Sequence, residues 1–316
     1  MGPNIRERVI QTLEAAKGVI RGQESMIEAI LAALACEGHL LIEGMPGLGK
    51  TLCVRVMGRL CDLSFKRVQF TPDLLPADLI GTMIYNQQKD EFSTKFGPIF
   101  TQILLGDEIN RAPPKVQSAL LEAMAEKQVT IGEKTWRLSD PYVVLATQNP
   151  IEQEGTYPLP EAQLDRFMMK IQISHPDFAS EMSFIDFRME DVEKIQPMFG
   201  IDDLGEFKTE LAKIYIDDKI KNFIVSVVHS TRPESKLFPK EFDGVIQSGA
   251  SPRASMWLYR ISRFKAFLAQ RDYVTPEDIL DSIGDVIGHR LILSYEAHVD
   301  KIRARDVALR IAQGLV

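Results

Sequence analysis

Apolar side chains recur along the first half of the chain in two alternating patterns, one helical and one strand-like. Residues 5–17 and 24–36 place them on one face at helical spacing. A compact apolar run at 39–43 then stops at a glycine, as a buried parallel strand does. Similar runs follow, with helical segments such as 114–127 between them, at 102–106, 142–147 and 166–174. Strands that alternate with helices predict an α/β fold with a parallel sheet flanked by helices.

The pattern changes after residue 178. From there to residue 316 nearly every segment has helical periodicity, for example 220–230, 254–269 and 276–287. We therefore expect two domains, an α/β domain at 1–178 and an all-helical domain at 179–316.

Composition narrows the class of protein. With 316 residues, 45% of them hydrophobic and 26% charged, the chain has the composition of a globular protein. Its formal net charge of -7 argues against non-specific binding to nucleic acid. The N-terminus carries no signal-peptide core, and the most apolar stretch, 27–42, contains charged residues and is too short to span a bilayer. We expect a cytoplasmic protein without a transmembrane segment.

The segment 44–51 reads Gly-Met-Pro-Gly-Leu-Gly-Lys-Thr and fits the P-loop pattern G-x-x-x-x-G-K-[ST] in full. Glycines allow turns that aim backbone N–H groups at a phosphate chain, and the following helix adds the positive end of its dipole. Such a pattern also occurs by chance in unrelated turns, but here it lies between an apolar strand and a helix-like run. We predict an ATP site formed by Gly44, Pro46, Gly47, Leu48, Gly49, Lys50, Thr51 and Leu52.

The run at 103–108 ends in two acids, Asp107 and Glu108, as a Walker B strand does. Ligands of a parallel sheet bind at the carboxyl ends of its strands, so we expect these acids beside the phosphates. Asp107 and the Thr51 hydroxyl would ligate Mg²⁺, and Glu108 would be the general base that activates water. The alternative for the two acids alone is a pair of solvated side chains at a strand end.

Three more polar residues complete the predicted site. Asn149 follows the third strand, where its amide could hydrogen-bond the γ-phosphate and the attacking water; an Asn-Pro turn is the alternative. Arg166 and Arg253 come later in the chain, and each arginine taken alone is typical of a protein surface. Sequence spacing by itself gives these two arginines no role.

Six short strings occur along the chain, in order, at 19–24, 69–78, 107–112, 146–150, 155–163 and 249–254. Together they resemble the MoxR family of AAA+ ATPases, which belongs to a branch with an insertion before the Walker B strand. The resemblance implies that Gln23 lies in the segment that wraps the adenine and that Asn149 is the sensor 1 residue. It implies that Arg166 is an arginine finger reaching the γ-phosphate of a neighbouring subunit. Arg253 is then the sensor 2 residue, acting on its own or on a neighbour's nucleotide.

The resemblance also implies an assembly and a class of partner. Family members form homo-oligomeric rings, usually hexamers, with ATP at the subunit interfaces. They mature or activate protein clients, which often contain von Willebrand factor A domains. The family insertion matches 73–98, with a turn at 87–90, and a second hairpin matches 128–138. In related rings such hairpins face the pore or a substrate; ordinary surface hairpins are the alternative.

Three functions follow as hypotheses. The favoured one is a ring-forming ATPase that couples hydrolysis to remodelling a protein partner. The second is an ATP-dependent assembly switch with little turnover, which suits a site completed only by a neighbour's arginine. The third is a DNA-directed motor, which the net charge of -7 disfavours.

Overall fold

The computed structural model describes residues 4–88, 90–150, 155–185 and 189–315. The helices are α1 (Ile5–Val19), α2 (Glu24–Cys36), α3 (Lys50–Leu60), α4 (Pro76–Ile80), α5 (Pro114–Glu126), α6 (Glu161–Leu164), α7 (Phe178–Phe184), α8 (Met189–Glu193), α9 (Ile201–Lys213), α10 (Asp218–Ser230), α11 (Pro252–Leu268), α12 (Pro276–Ile287), α13 (Tyr295–Val299) and α14 (Ala304–Gln313). The strands are β1 (Leu40–Glu43), β2 (Phe65–Gln69), β3 (Gly81–Asn86), β4 (Glu91–Phe96), β5 (Ile103–Asp107), β6 (Gln128–Ile131), β7 (Lys134–Arg137), β8 (Val143–Gln148), β9 (Met169–Gln172), β10 (Ile246–Ser248) and β11 (Ile292–Leu293).

The chain divides into two compact units. The pocket unit comprises Gln11–Leu159 and Ile171–Ile201, and the lid unit comprises the chain up to Ile10, Pro160–Lys170 and the chain from Asp202 onward. The lid unit includes early residues because they pack within it. Arg6 donates from Nη2 to Asp272 at 2.8 Å, and its guanidinium lies 4.8 Å from the centroid of the Phe267 ring. The simpler division into 1–178 and 179–316 stays a prediction.

The pocket unit is built on a five-stranded sheet with the strand order β2-β5-β8-β1-β9. The pairs β2–β5, β5–β8 and β1–β8 are parallel. Strands β5 and β8 are buried because they carry the continuous apolar runs expected of strands covered on both faces. The predicted α/β fold is confirmed. Since parallel strands end at one edge of a sheet, the segments after β1, β5 and β8 meet there.

His39 fastens this sheet to helix α5. Its Nε2 lies 3.2 Å from the Met124 carbonyl oxygen, and the Val144 N–H donates to its Nδ1 at 3.0 Å. The ring therefore carries its proton on Nε2 and is neutral, because Nδ1 is already an acceptor. Complete burial lowers the pKa of His39 to about 4.

Both predicted hairpins are present as antiparallel pairs, β3–β4 and β6–β7. The first pair lies within the expected insertion at 73–98, and the second within 128–138. The predicted turn at 87–90 includes Lys89, which lies outside the described residues.

The lid unit is helical, as predicted, apart from the short antiparallel pair β10–β11. Its core contains the rings of Phe207 and Phe267, whose centroids are 4.8 Å apart. Polar caps set where its helices begin. The Ser251 hydroxyl accepts from the Arg253 N–H at 3.2 Å before α11, and Thr275 forms a reciprocal capping box with Asp278 before α12.

Candidate active site

The segment predicted to bind phosphate connects β1 to α3. Gly47 and Gly49 have φ angles of 84° and 77°, a left-handed conformation that favours glycine. A Cβ atom on either residue would meet nothing within 4 Å, so the left-handed backbone conformation and not close packing favours glycine here. Gly49 is the N-cap of α3, which places the unpaired N–H groups of the first helical turn at the same point. Gly44 is needed for packing, because a Cβ there would overlap Ile173 Cγ1.

Lys50 lies over this turn. Its Nζ donates to the Gly44 carbonyl oxygen at 2.6 Å. Burial lowers the pKa of the Lys50 ammonium, and the nearby carboxylates of Asp107 and Glu108 oppose the shift without cancelling it. The Lys50 ammonium is thus held between the backbone of the turn and two acids. From this position it can receive phosphate oxygens.

Asp107 ends strand β5 and is buried. Its Oδ2 accepts from Arg67 Nε at 2.6 Å, and its Oδ1 accepts from the Thr147 hydroxyl at 3.2 Å. Both partners come from neighbouring strands, because β5 lies between β2 and β8. A carboxylate buried at a sheet edge is therefore paired with a cation and with a hydroxyl.

Glu108 follows directly, with φ at 58°, and turns the chain out of the strand. Its backbone N–H donates to the Thr147 hydroxyl at 2.9 Å. Its Oε2 accepts from Gln69 Nε2 at 2.9 Å and lies 3.0 Å from Arg111 Nε. Two donors on one oxygen hold this carboxylate in a single orientation at the pocket wall.

A pocket of about 390 Å³ unites these groups. Nine of the predicted residues line it, namely Pro46, Gly47, Gly49, Lys50, Thr51, Leu52, Asp107, Glu108 and Asn149. Three lining residues were given no role by the sequence, namely Arg67, Gln69 and Thr147. Glycine N–H groups, one ammonium, two hydroxyls and two carboxylates in one pocket match the chemistry of a nucleotide phosphate chain.

Three predicted residues of the pocket unit are not among the lining residues. Leu48 is buried and Gly44 packs against Ile173. Gln23 lies at the N-cap of α2, where its Nε2 donates to the Ser174 carbonyl oxygen at 3.2 Å. An adenine contact by Gln23 stays a prediction.

The residues predicted to hold Mg²⁺ fit that ion by their chemistry. The Thr51 hydroxyl and the Asp107 carboxylate line the same pocket, and both offer the oxygen ligands that Mg²⁺ prefers. Mg²⁺ is commonly bound through one or two protein oxygens together with phosphates of the substrate, and Thr51 and Asp107 would supply the protein oxygens.

The two predicted arginines belong to the lid unit. Arg166 lies in the turn after α6, and Arg253 lies in the first turn of α11. Arg253 Nη1 donates to Asp165 Oδ2 at 2.9 Å, and the Ser251 hydroxyl also donates to that carboxylate, at 2.8 Å to Oδ1. Burial alone would raise the pKa of Asp165, but bonds from Ser251 and Arg253 and the charge of Arg290 together hold it below its usual range.

One predicted strand is shorter than its apolar run. The run 166–174 yields only β9 at Met169–Gln172. The carbonyl oxygens of Asp165, Phe167 and Met168 accept hydrogen bonds from Arg290. Residues 165–168 therefore form a turn before the strand, and the expectation of a strand beginning at Arg166 is wrong.

Comparison with known proteins decides the family. The family described as "ATPase family associated with various cellular activities (AAA)" matches residues 39–169, and the AAA lid domain matches 243–311. Chaperone MoxR1 of Mycobacterium tuberculosis is 42% identical, over 96% of this chain and 82% of its own length. Protein MoxR of Methylorubrum extorquens is 31% identical, over 89% and 86%. The chain belongs to the MoxR family of AAA+ ATPases.

A solved structure supports the same relationship. The crystal structure of a candidate ATPase from Cytophaga hutchinsonii is 45% identical to this MoxR-family chain and superposes with a TM-score of 0.89. The similarity covers 98% of this chain and 94% of that one. Among the described residues, no helix combines the length and the apolarity needed to cross a bilayer.

Sequence reasoning missed the side chains that hold the two acids. Gln69 and Thr147 lie at the ends of strands and inside two of the strings that carry the MoxR resemblance. That position is the signal from which a role in the site could have been predicted. Arg67 lies on β2, an edge strand whose side chains are mostly exposed. Because β2 has no continuous apolar run, the sequence did not predict this strand. The position of Arg67 at the carboxyl edge of the sheet was therefore not predicted either.

Proposed function

We propose that this MoxR-family protein binds ATP with Mg²⁺ in the pocket and hydrolyses it at sites shared between subunits of a homo-oligomeric ring. The observation that carries the proposal is the single pocket lined by the glycine turn, Lys50, Asp107 and Glu108. Membership of a family of ATPases supports it.

Phosphate binding is assigned to the turn and to Lys50. The backbone N–H groups around Gly47 and Gly49 would surround the β-phosphate, and Nζ of Lys50 would exchange the Gly44 carbonyl for β- and γ-phosphate oxygens. The negative charge of the phosphates would raise the pKa of Lys50 again and so strengthen the ammonium. Mg²⁺, when bound, neutralises charge on the β- and γ-phosphates, and Thr51 and Asp107 are the residues proposed to hold it.

Proton transfer is assigned to Glu108. Its carboxylate would take a proton from the attacking water, while the Asn149 amide orients that water and senses the γ-phosphate. Gln69 and Arg111 position the carboxylate through its Oε2. These two donors already occupy that oxygen, an observation that favours the second candidate function, an assembly switch with slow turnover.

The lid unit is assigned the charges that complete the site. Arg166 would reach the γ-phosphate bound by a neighbouring subunit, and Arg253 would act as the sensor 2 residue. Sharing each site between two subunits requires an oligomer, and we propose the hexameric ring usual for the family. The relative named Chaperone MoxR1 supports a protein client, for which von Willebrand factor A domains are the proposed class.

The test is the rate of phosphate release as a function of protein concentration, with the mass measured on the same samples with and without ATP. We expect specific activity to rise as a large assembly forms. Glu108→Gln should lower turnover about 10²- to 10⁴-fold while ATP binding is kept. The matched control is Glu122→Gln, an exposed acid on α5, which should behave as wild type.

Two results would change the proposal. A low rate that does not vary with concentration, from a monomer that binds ATP, would favour the assembly switch. Normal hydrolysis by Glu108→Gln would remove Glu108 from the role of general base.

A further inference from the structure

Arg290 is the most enclosed charged side chain of the lid unit among those whose ion pairs the structure describes. Its side chain is 1% exposed, and its Nε donates to Asp165 Oδ1 at 2.8 Å. Nη2 donates to the carbonyl oxygens of Asp165 at 3.0 Å and of Phe167 at 2.6 Å. Nη1 donates to the carbonyl oxygens of Met168, at 3.3 Å, and of Val286. All five N–H groups of the guanidinium can thus be assigned acceptors.

Arg166 lies between the residues that Arg290 binds. The carbonyl oxygen before it, of Asp165, and the one after it, of Phe167, accept from the same nitrogen of Arg290. Both sides of the peptide chain at Arg166 are therefore fixed to one planar group. Burying a charge is costly unless the charge is paired and hydrogen-bonded. Arg290 meets both conditions through Asp165 and the carbonyl oxygens of the turn.

The same turn is bonded to the start of α11 and to the end of α12. Arg290 follows α12 and bonds the Val286 carbonyl oxygen near its C-terminus. The Asp165 carboxylate accepts from Ser251, the N-cap of α11, and from Arg253 in its first turn. Asp165 thus joins the Arg166 turn to α11, while Arg290 joins it to α12.

We propose that Arg290 and Asp165 are a positioning pair that holds the Arg166 turn on the lid helices and presents Arg166 in one orientation to a neighbour's nucleotide. The proposal rests on the shared-site function above, and it assigns Arg290 and Asp165 no contact with nucleotide. An arginine finger acts only from a defined position, since a misplacement of about 1 Å can cost about 10²-fold in rate.

Lysine cannot replace arginine in this role. Its ammonium keeps the positive charge beside Asp165 but offers three donors from one atom, without the planar fork. Arg290→Lys therefore keeps the ion pair and loses most of the bonds to the turn. We expect turnover of the assembled protein to fall about 10²-fold, with the affinity for a fluorescent ATP analogue unchanged.

The control is Arg305→Lys. Arg305 belongs to the same unit and pairs with Asp285 at 2.7 Å, but its side chain is 49% exposed and bonds no carbonyl of the turn. This variant should hydrolyse ATP as wild type does. Thermal unfolding of both variants shows whether any loss of turnover follows from loss of structure.

Mixed oligomers separate a positioning role from general damage. Glu108→Gln subunits have an inactive site of their own but an intact Arg166 turn. Mixed with Arg290→Lys subunits, they would supply a correctly placed Arg166 to an intact pocket, so activity should exceed the sum of the separate samples. Arg166→Ala mixed with Glu108→Gln is the reference for this complementation.

The outcomes are distinct. Full turnover by Arg290→Lys would overturn the proposal, and so would failure to complement it where Arg166→Ala is complemented. If Arg166→Ala is not complemented either, the shared-site function fails and the positioning pair fails with it. If Arg290→Lys does not fold, Asp165→Asn, which keeps the size of the side chain and one acceptor oxygen, is measured by the same criteria.

Discussion

In the pocket unit, the residues that line the pocket come mainly from one short segment, 46–52, and from the ends of neighbouring strands. In the lid unit, the turn that carries Arg166 is held by Asp165 and Arg290, which are 125 residues apart in the chain. The pocket therefore has its binding groups as soon as the sheet forms, whereas the turn also needs α11 and α12. From the proposed function we expect the pocket unit to supply affinity for nucleotide and the general base, and the lid unit to supply the arginines that turnover also needs.

The largest expected effect tests that division directly. Arg166→Ala should lower turnover of the assembled protein about 10³- to 10⁵-fold, because an arginine finger stabilises charge only in the transition state. Its affinity for a fluorescent ATP analogue should stay at the wild-type value. Lys50→Ala should instead abolish nucleotide binding, already in dilute protein, since its ammonium is proposed to contact the phosphates before any assembly.

Arg310→Ala is the matched control, because Arg310 is an exposed arginine on α14 of the lid unit. It should leave both quantities unchanged. The proposed finger acts only on a neighbouring subunit, so Arg166→Ala and wild type are compared at concentrations where the assembly has formed. A loss of nucleotide affinity in Arg166→Ala would contradict the division between the two units.

The next effect concerns stability of the pocket unit. Folded His39 has a pKa of about 4, against 6.5 for the ordinary side chain, so it stays neutral while the unfolded chain binds a proton. Its contribution is complete above pH 6.5 and is lost as the pH falls toward 4. The free energy of unfolding should fall by roughly 2 to 3 kcal/mol between pH 7 and pH 4.5 through this residue.

The chain offers a local reporter for that measurement. Trp136 lies in the pocket unit and Trp257 in the lid unit, and the protein contains 2 tryptophans. In a Trp257→Phe background, urea unfolding followed by fluorescence reports on the pocket unit. His39→Gln can keep one acceptor and one donor without titrating, so it should remove that part of the pH dependence. His175→Gln, at an exposed position, should not; an identical pH profile for His39→Gln and wild type would contradict the assignment.

The smallest effect concerns the cation site. Arg67 donates to Asp107 Oδ2 at 2.6 Å and thereby competes for the carboxylate expected to hold Mg²⁺. Arg67→Met should lower the Mg²⁺ concentration needed for half-maximal binding of a fluorescent ATP analogue about two- to fivefold, as expected for a half-exposed ion pair. Lys66→Met, an exposed neighbour on β2, is the control. A higher Mg²⁺ requirement in Arg67→Met would show that Arg67 assists the cation site.

The sequence predicted the glycine turn and strands β5 and β8 but did not predict strand β2, and the reason is physical. The segment Gly44–Thr51 has its conformation encoded in its own residues, since glycines permit the turn and a helix follows at once. The apolar runs of β5 and β8 placed Asp107 and Asn149 at one sheet edge by the geometry of parallel strands alone. Edge strand β2, with exposed polar residues, gave no such signal, and Arg67 was missed with it.

By itself, the sequence determined the α/β fold, the helical lid and the glycine turn after β1, because each depends on local spacing of glycines and apolar residues. Tertiary structure alone decided which side chains hold the charged groups. Thr147 reaches Asp107 across 40 residues, and Arg290 reaches Asp165 across 125. Such pairs leave no period in the sequence, since a hydrogen bond depends on distances in space that only the folded chain sets.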